Sequence, residues 1–379
     1  MINRIIIEDI INKCFKSKAI IIIGPRQSGK TTLLNMIDDK LSQKSIYLNC
    51  DEPDIRQSLS DVTSTELKEL IGSAEVVFID EAQRIKNIGI TLKLITDQLS
   101  KKQLIVTGSS SLELANKINE PLTGRKYEYL LLPFSEEELI NHYGMLTEKR
   151  LLNERMIYGF YPEIVKTKEN KIELLRTLAS SYLYKDIFTF QEVRKPEVIE
   201  KLLEALALQL GSEVSYHELS NLLGIDFSTV TRYIDLLEKA FVIFRLRSFS
   251  KNLRNELKKS RKIYFYDNGI RNSIINNFKN LKLRQDTGAL WENYLISERF
   301  KYLKYNGIDT KMFFWRTRTK QEIDLIEERN GDLFAFEFKW SKGKKYKFTL
   351  SFLRAYPECK TKIINNENYM NFLYKYDNI

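Results

Sequence analysis

A short loop near the N-terminus is the strongest constraint on the fold. Residues 24–31 read Gly-Pro-Arg-Gln-Ser-Gly-Lys-Thr and fit the pattern G-x-x-x-x-G-K-[ST] at every position. The isoleucine-rich run at 19–23 precedes this loop, and a helical pattern follows it to about Leu41. A strand, a glycine-rich loop and a helix in this order form the setting in which backbone N–H groups bind phosphate. The sequence therefore predicts a nucleotide-binding α/β domain.

The residues of this loop have separate predicted roles. Lys30 is expected to neutralise phosphate oxygens and so to take part in catalysis, and the hydroxyl of Thr31 is expected to bind Mg²⁺. The residues themselves do not separate ATP from GTP. The predicted nucleotide-binding set in the loop is Gly24, Pro25, Arg26, Gln27, Ser28, Gly29, Lys30, Thr31 and Thr32.

A second motif, Val76-Val77-Phe78-Ile79-Asp80-Glu81, is an apolar strand that ends in two carboxylates. Asp80 is predicted to hold Mg²⁺, directly or through water, and Glu81 to orient or deprotonate the attacking water. The alternative is a strand whose terminal acids serve only solubility. Together with the loop, the two carboxylates predict hydrolysis of the bound nucleotide.

Two further positions are candidates for contact with the γ-phosphate. Ser109 and Ser110 follow the strand that ends at Gly108, and their hydroxyls suit either phosphate sensing or a simple turn. Arg125 is the second candidate, acting on the nucleotide of its own chain or of a neighbouring subunit, with an exposed surface arginine as the alternative. Contact with a neighbour's nucleotide would require an oligomer.

The order of apolar runs predicts the architecture. In the first third, strand-like runs alternate with helical patterns, as in a parallel sheet covered on both faces, at 19–24, 45–49, 75–80, 103–107 and 127–132. Mostly helical sequence follows, and then a second α/β region. We predict a P-loop core at 1–135, a helical connector at 136–196, a winged helix-turn-helix at 197–250 and a further α/β domain at 263–379.

The winged helix is predicted from two helical patterns around Gly224 and a β-rich run at 241–246. A basic segment at 251–262 follows as a linker or wing tip. The second helix offers Thr229 and Arg232 but few cations, whereas contact with DNA phosphates favours a basic surface. The composition favours packing between domains or subunits over reading of DNA.

The last third contains a group of carboxylates on two adjacent predicted strands and a preceding helix. Asp324 lies on one face of a predicted strand, Glu337 and Lys339 share a face of the next strand, and Glu292 lies on a preceding helix. Gly331 marks the hairpin turn between the strands. This order resembles the PD-(D/E)XK nucleases, which implies that Glu292, Asp324 and Glu337 bind a second Mg²⁺ or Mn²⁺ and that Lys339 assists catalysis. The alternative is a catalytically inactive binding domain.

Charge distinguishes this last third from the rest. The chain has a net charge of +10, yet residues 1–250 carry 33 basic and 35 acidic side chains, whereas residues 251–379 carry 27 and 15. A basic region favours DNA as a partner, or else a well-solvated lysine-rich surface.

No apolar run is long enough to span a bilayer, and three cysteines with two histidines exclude a disulfide scaffold and a zinc site. These features predict a cytoplasmic protein with no membrane partner.

Four segments together resemble the bacterial and archaeal AAA-type ATPases that carry a C-terminal domain of uncharacterised function: GPRQSGKTTLL, FIDEAQRI, VTGSSSLEL and TGRKYEYLLLPFSEEE. The resemblance continues through YGFYPEIV, IYFYDNGIRN, WENYLISE, EIDLI and FEFKW. It implies ATP as the nucleotide. One departure lies at 158–162, where the family more often has paired glycines, and it leaves the hinge after the ATPase core open.

Overall fold

A computed structural model provides the structure of the protein. It describes residues 1–109, 121–183, 195–250, 261–317, 319–341 and 347–374. The predictions for Ser110 and for the basic segment at 251–260 lie outside these ranges. Contacts divide the chain into a first unit, Met1–Pro133 with Lys239–Phe241, and a second unit, Phe134–Glu238 with Val242–Ile379.

The first unit is built on a parallel sheet with the strand order β2-β3-β4-β1-β5. Its strands are β1 Ala19–Ile23, β2 Ser45–Asn49, β3 Val76–Asp80, β4 Gln103–Gly108 and β5 Lys126–Leu130. Its helices are α1 Ile7–Lys13, α2 Lys30–Leu41, α3 Pro53–Leu59, α4 Ser64–Ile71 and α5 Ile88–Gln98, with a 3₁₀ turn at Ala82–Arg84. Every residue of β1, β3 and β4 is buried, which explains the apolar runs that make up most of each strand. The predicted parallel α/β class is confirmed for this unit.

The second unit combines helices with one mixed sheet. Its helices are α6 Glu136–Tyr143, α7 Met145–Tyr158, α8 Pro162–Lys166, α9 Lys171–Thr177, α10 Pro196–Leu208, α11 Tyr216–Leu223, α12 Phe227–Lys239, α13 Asn268–Ile274, α14 Thr287–Tyr305, α15 Leu350–Ala355 and α16 Tyr369–Tyr374. A π-helical turn at Leu178–Leu183 and a 3₁₀ turn at Leu281–Leu283 complete the helical elements of the described ranges.

The sheet of the second unit has seven strands in the order β12-β11-β10-β9-β7-β8-β6. They are β6 Glu213–Val214, β7 Ile243–Ser248, β8 Arg261–Phe265, β9 Lys311–Arg316, β10 Glu322–Arg329, β11 Asp332–Phe338 and β12 Lys360–Ile364. β10 and β11 form the expected hairpin, in which Arg329 pairs with Asp332. β7 pairs in parallel with β9, so strands that the sequence assigns to two domains belong to one sheet. The four-part division stays a prediction.

No helix within the described part of the chain is both long and apolar enough to cross a bilayer.

Candidate functional site

The predicted phosphate loop lies between β1 and α2. Gly29 has φ +95°, a backbone conformation that side chains rarely adopt, and α2 begins at the next residue, Lys30. A Cβ on Gly24 would lie 2.0 Å from the backbone oxygen of Leu131, so the chain passes too close here for any other residue. Both glycines of the motif are therefore required by the local backbone.

Arg4 supports this loop, a contact that the sequence analysis missed. Its guanidinium donates to the backbone oxygens of Ser28 at 3.2 Å and Leu132 at 2.6 Å. The side chain is 4% exposed. The bond to Leu132 joins positions 128 residues apart, and a lone arginine among isoleucines gives no local signal for it.

Lys30 lies inside the loop. Its side chain is 5% exposed, and Nζ donates to the backbone oxygens of Gly24 at 3.1 Å and Pro25 at 3.0 Å. The loop carbonyls thus hold the ammonium group beside the backbone that the motif uses for phosphate.

Three hydroxyls converge on the carboxylate of Asp80, at the end of β3. Thr31 Oγ1 donates to Asp80 Oδ2 at 2.7 Å, Tyr47 donates to the same oxygen, and Thr107 donates to Oδ1. Burial, and then the contact with Asp80, raise the pKa of Tyr47, so its phenol stays protonated. Asp80 is 3% exposed, and none of its hydrogen-bond partners among the described residues carries a positive charge. A hydroxyl and a carboxylate side by side are the hard oxygen ligands that suit Mg²⁺.

Glu81 follows Asp80 and is held by Gln83. The backbone N–H of Glu81 donates to Asp80 Oδ1 and to Thr107 Oγ1, each at 3.1 Å. Gln83 Nε2 donates to Glu81 Oε2 at 2.6 Å and to Ser109 Oγ at 2.8 Å. Gln83 therefore connects the predicted water-activating carboxylate to the predicted phosphate sensor, although the sequence analysis missed it.

The structure places Arg125 away from the loop. β5 runs parallel to β1 with Lys126 opposite Ala19, so Arg125 lies at the start of these strands, whereas the loop follows the end of β1. Five residues of strand span about 16 Å. The Arg125 guanidinium instead pairs with Asp97 at 2.8 Å. Contact with a nucleotide in the loop of the same chain does not fit this placement, and contact with a neighbouring subunit's nucleotide stays a prediction.

A second cluster lies in the second unit, where α14, β8, β10 and β11 bring together residues distant in sequence. We call it the carboxylate cluster, and its members are Lys262, Tyr264, Glu292, Glu322, Asp324, Glu337 and Lys339. Lys262 Nζ lies 2.8 Å from Glu292 Oε1 and also pairs with Glu322. The phenol of Tyr264 donates to Glu292 Oε1 at 2.6 Å. Lys262 and Tyr264 were not among the predicted site residues.

The other predicted residues of this cluster also have partners. Asp324 accepts a hydrogen bond from the backbone N–H of Phe338 at 2.8 Å, and Lys339 Nζ lies 3.0 Å from Glu337 Oε2. Burial, and then the charge of Glu337, raise the pKa of Asp324 to about 7. Burial raises the pKa of Glu292 to about 7, although Lys262 acts in the opposite direction.

Within the ranges that the structure describes, no three His, Cys, Asp or Glu side chains form a group that could hold a metal ion. The assignment of a metal to Glu292, Asp324 and Glu337 therefore stays a prediction.

The loop, the Thr31–Asp80 pair and the parallel sheet are together the features of a P-loop nucleotide-binding domain. Residues 16–140 match the family model of an AAA domain. Residues 149–281 and 287–377 match two domains of unknown function, DUF8612 and DUF4143.

Relatives among curated proteins extend over most of the chain. An uncharacterized protein of Mycobacterium tuberculosis is 25% identical over 328 residues, covering 86% of this chain and 70% of the relative. An uncharacterized protein of Methanocaldococcus jannaschii is 26% identical over 390 residues, covering 96% and 84%.

Solved structures give weaker likenesses. A RuvB variant of Thermotoga maritima has a TM-score of 0.32 and 16% identity, covering 68% of this chain and 95% of that one. A DNA replication initiation factor has a TM-score of 0.26 and 17% identity, covering 61% and 85%. Similarities this low carry no conclusion about function.

Proposed function

We propose that this protein is a Mg²⁺-dependent ATPase whose second unit is a DNA-binding module controlled by the nucleotide state. The observation that carries the proposal is the hydrogen bond from Thr31 to Asp80 beside the buried Lys30. These three groups are the hydroxyl, the carboxylate and the ammonium that phosphoryl transfer from a Mg²⁺-bound nucleotide requires. The AAA domain model over 16–140 supports ATP as the nucleotide.

Each side chain has a role in this reaction. Lys30 balances charge on the phosphate oxygens, and the loop backbone orients them. Mg²⁺, when bound near Thr31 and Asp80, would stabilise the charge that develops on the transferred phosphoryl group. Glu81 orients the attacking water and accepts its proton. Gln83 positions Glu81, since its amide holds one carboxylate oxygen at 2.6 Å.

A winged helix in the second unit is part of this proposal. The order α10, β6, α11, α12, β7 and β8, with β8 antiparallel to both β6 and β7, supports that topology. Arg245, on β7, pairs with Asp235 at 2.6 Å and also with Glu238. A cation neutralised in this way is a weak phosphate ligand, which supports packing between domains or subunits as the role of this element.

DNA binding is assigned instead to the basic last third of the chain. The net positive charge of the protein lies entirely within residues 251–379. A basic surface gains affinity for DNA because binding releases counterions from the phosphates. For the carboxylate cluster, the geometry favours a binding module over a nuclease. Glu292 and Glu337 are already paired with lysines, and Asp324 accepts a backbone hydrogen bond.

Two assays on the full chain test this proposal. We expect ATP turnover that Lys30→Ala abolishes, and salt-dependent DNA binding by fluorescence anisotropy that survives Asp324→Ala. Cleavage of single-stranded, duplex or branched DNA with Mg²⁺ or Mn²⁺ should be absent. Cleavage that is lost in Asp324→Ala would establish the nuclease alternative, with Lys339 as its catalytic lysine. Unchanged ATP turnover in Lys30→Ala would overturn the ATPase assignment.

A further inference from the structure

Lys262 places a fixed positive charge inside the carboxylate cluster. Its side chain is 1% exposed and contacts both Glu292 and Glu322. Two carboxylates in ion-pair contact with one buried amine favour its charged ammonium form, although water hardly reaches it.

The residues that contact Lys262 in the carboxylate cluster come from several elements of the second unit. Lys262 lies on β8, Glu292 on α14 and Glu322 on β10. Arg316, on β9, lies 3.3 Å from Glu322 and adds a second cation on that side. Tyr264 donates to the same oxygen of Glu292 that Lys262 contacts. One carboxylate oxygen each of Glu292, Asp324 and Glu337 thus already has a donor from the protein.

A divalent metal does not fit this arrangement. Mg²⁺ requires ionised oxygen ligands with lone pairs free to point at it. In this cluster Lys262 Nζ lies 2.8 Å from Glu292 Oε1. The carboxylate of Asp324 accepts a hydrogen bond from the backbone N–H of Phe338 at 2.8 Å. A doubly charged ion placed beside a buried ammonium would also meet repulsion that low dielectric strengthens.

We propose that the ammonium of Lys262 takes the place of the divalent cation in this cluster, so that the second unit holds its partner without a metal ion. The statement that this partner is DNA rests on the function proposed above, whereas the absence of a metal ion does not. The cation is covalently part of the chain, so chelators cannot remove it.

Titration of the nucleotide-free full chain with Mn²⁺, followed by electron paramagnetic resonance, tests this proposal. We expect no tightly bound Mn²⁺ in the wild type and one per chain in Lys262→Met, because removing the ammonium frees the carboxylates. Adding Asp324→Asn to Lys262→Met should abolish that site. The matched control is Lys304→Met, which removes an exposed lysine from α14 and should leave the chain without Mn²⁺.

Two results would overturn the proposal. One is a wild-type Mn²⁺ site that Asp324→Asn removes, and the other is a folded Lys262→Met chain that gains no Mn²⁺. Circular dichroism checks the fold of the variant. Should Lys262→Met not fold, the wild type decides: a melting temperature that Mn²⁺ raises only when Asp324 is intact contradicts the proposal, and an unchanged one supports it. ATP turnover and DNA binding are measured separately, so their failure would leave this result standing.

Discussion

The hydroxyl of Thr31 donates a 2.7 Å hydrogen bond to the carboxylate of Asp80, joining the first turn of α2 to the end of β3. The two residues are 49 positions apart in the chain. The parallel sheet brings them together because β1 and β3 lie on either side of β4 and run in the same direction. Strands so arranged end at the same edge of the sheet, where α/β proteins bind ligands.

Asp80→Asn should reduce ATP turnover about a hundredfold or more, the scale of losing one preorganised electrostatic group. The amide keeps the shape of the side chain but removes the charge that would hold Mg²⁺. Steady-state hydrolysis at several Mg²⁺ concentrations measures the effect. The control is Tyr47→Phe, which removes a neutral donor to the same carboxylate and should cost much less. Equal losses in the two variants would contradict a metal-binding role for Asp80.

Gln83→Ala should lower kcat for ATP hydrolysis by about tenfold or more while leaving the KM for ATP nearly unchanged. Gln83 holds the carboxylate of Glu81 and the hydroxyl of Ser109, so its loss should misplace the water-activating group more than it weakens nucleotide binding. The matched control is Gln98→Ala, at the exposed end of α5. A change in KM alone would show that Gln83 acts on nucleotide binding instead.

Arg125 should act only between subunits, because within one chain it lies at the far end of β5 from the loop. Arg125→Ala and Lys30→Ala are each expected to lose ATP turnover. Mixing the two variants should restore part of it, since mixed assemblies contain an intact Lys30 facing an intact Arg125. Arg150→Ala, at an exposed arginine of α7, serves as the control for lost charge. Absence of restoration in assemblies shown to exchange subunits would remove Arg125 from the site.

Glu136 should make stability depend on pH. It is 1% exposed, and burial, followed by the charges of Glu148 and Glu298, raises its pKa to about 8. Between the ordinary glutamate range near pH 4.5 and about pH 8, the folded state binds this proton and the unfolded state does not. The contribution of Glu136 to folding therefore falls as pH rises through that window, and is lowest above it.

Glu136→Gln removes this titration and should stabilise the protein most above pH 8, by on the order of a few kcal/mol. Thermal melts of the wild type and the variant between pH 5 and pH 9 measure the difference. Glu204→Gln, at an exposed glutamate of α10, should show no such trend. A difference between wild type and Glu136→Gln that stays constant with pH would contradict the raised pKa.

Local sequence predicts the parts of this structure that depend on neighbouring residues. It does not predict the parts that depend on contacts between residues distant in the chain. The strand–loop–helix around Lys30 and the hairpin between β10 and β11 depend on residues near one another in the chain, so pattern and turn chemistry suffice. Arg4, Gln83 and Lys262 act through contacts set by packing. Lys262 meets Glu292 across 30 residues, and it lies on β8, a strand that pairs with β7. For Arg125 the sequence leaves open a role on the nucleotide of its own chain, a role on a neighbour's nucleotide, or an exposed surface position, because local sequence does not give the end of the sheet at which the side chain lies.

The pairing of β7 with β9 also determines how this chain can be divided. It joins Arg247 to Phe313 and Ser248 to Phe314, so a cut between the predicted domains would pass through one sheet. A recombinant fragment beginning at residue 263 would lack β7 and Lys262, leaving Glu292 and Glu322 without the ammonium that both contact and β9 with an open edge. Exposed strand edges recruit other chains, so such a fragment would aggregate. A fragment that starts at Phe134 keeps the whole sheet.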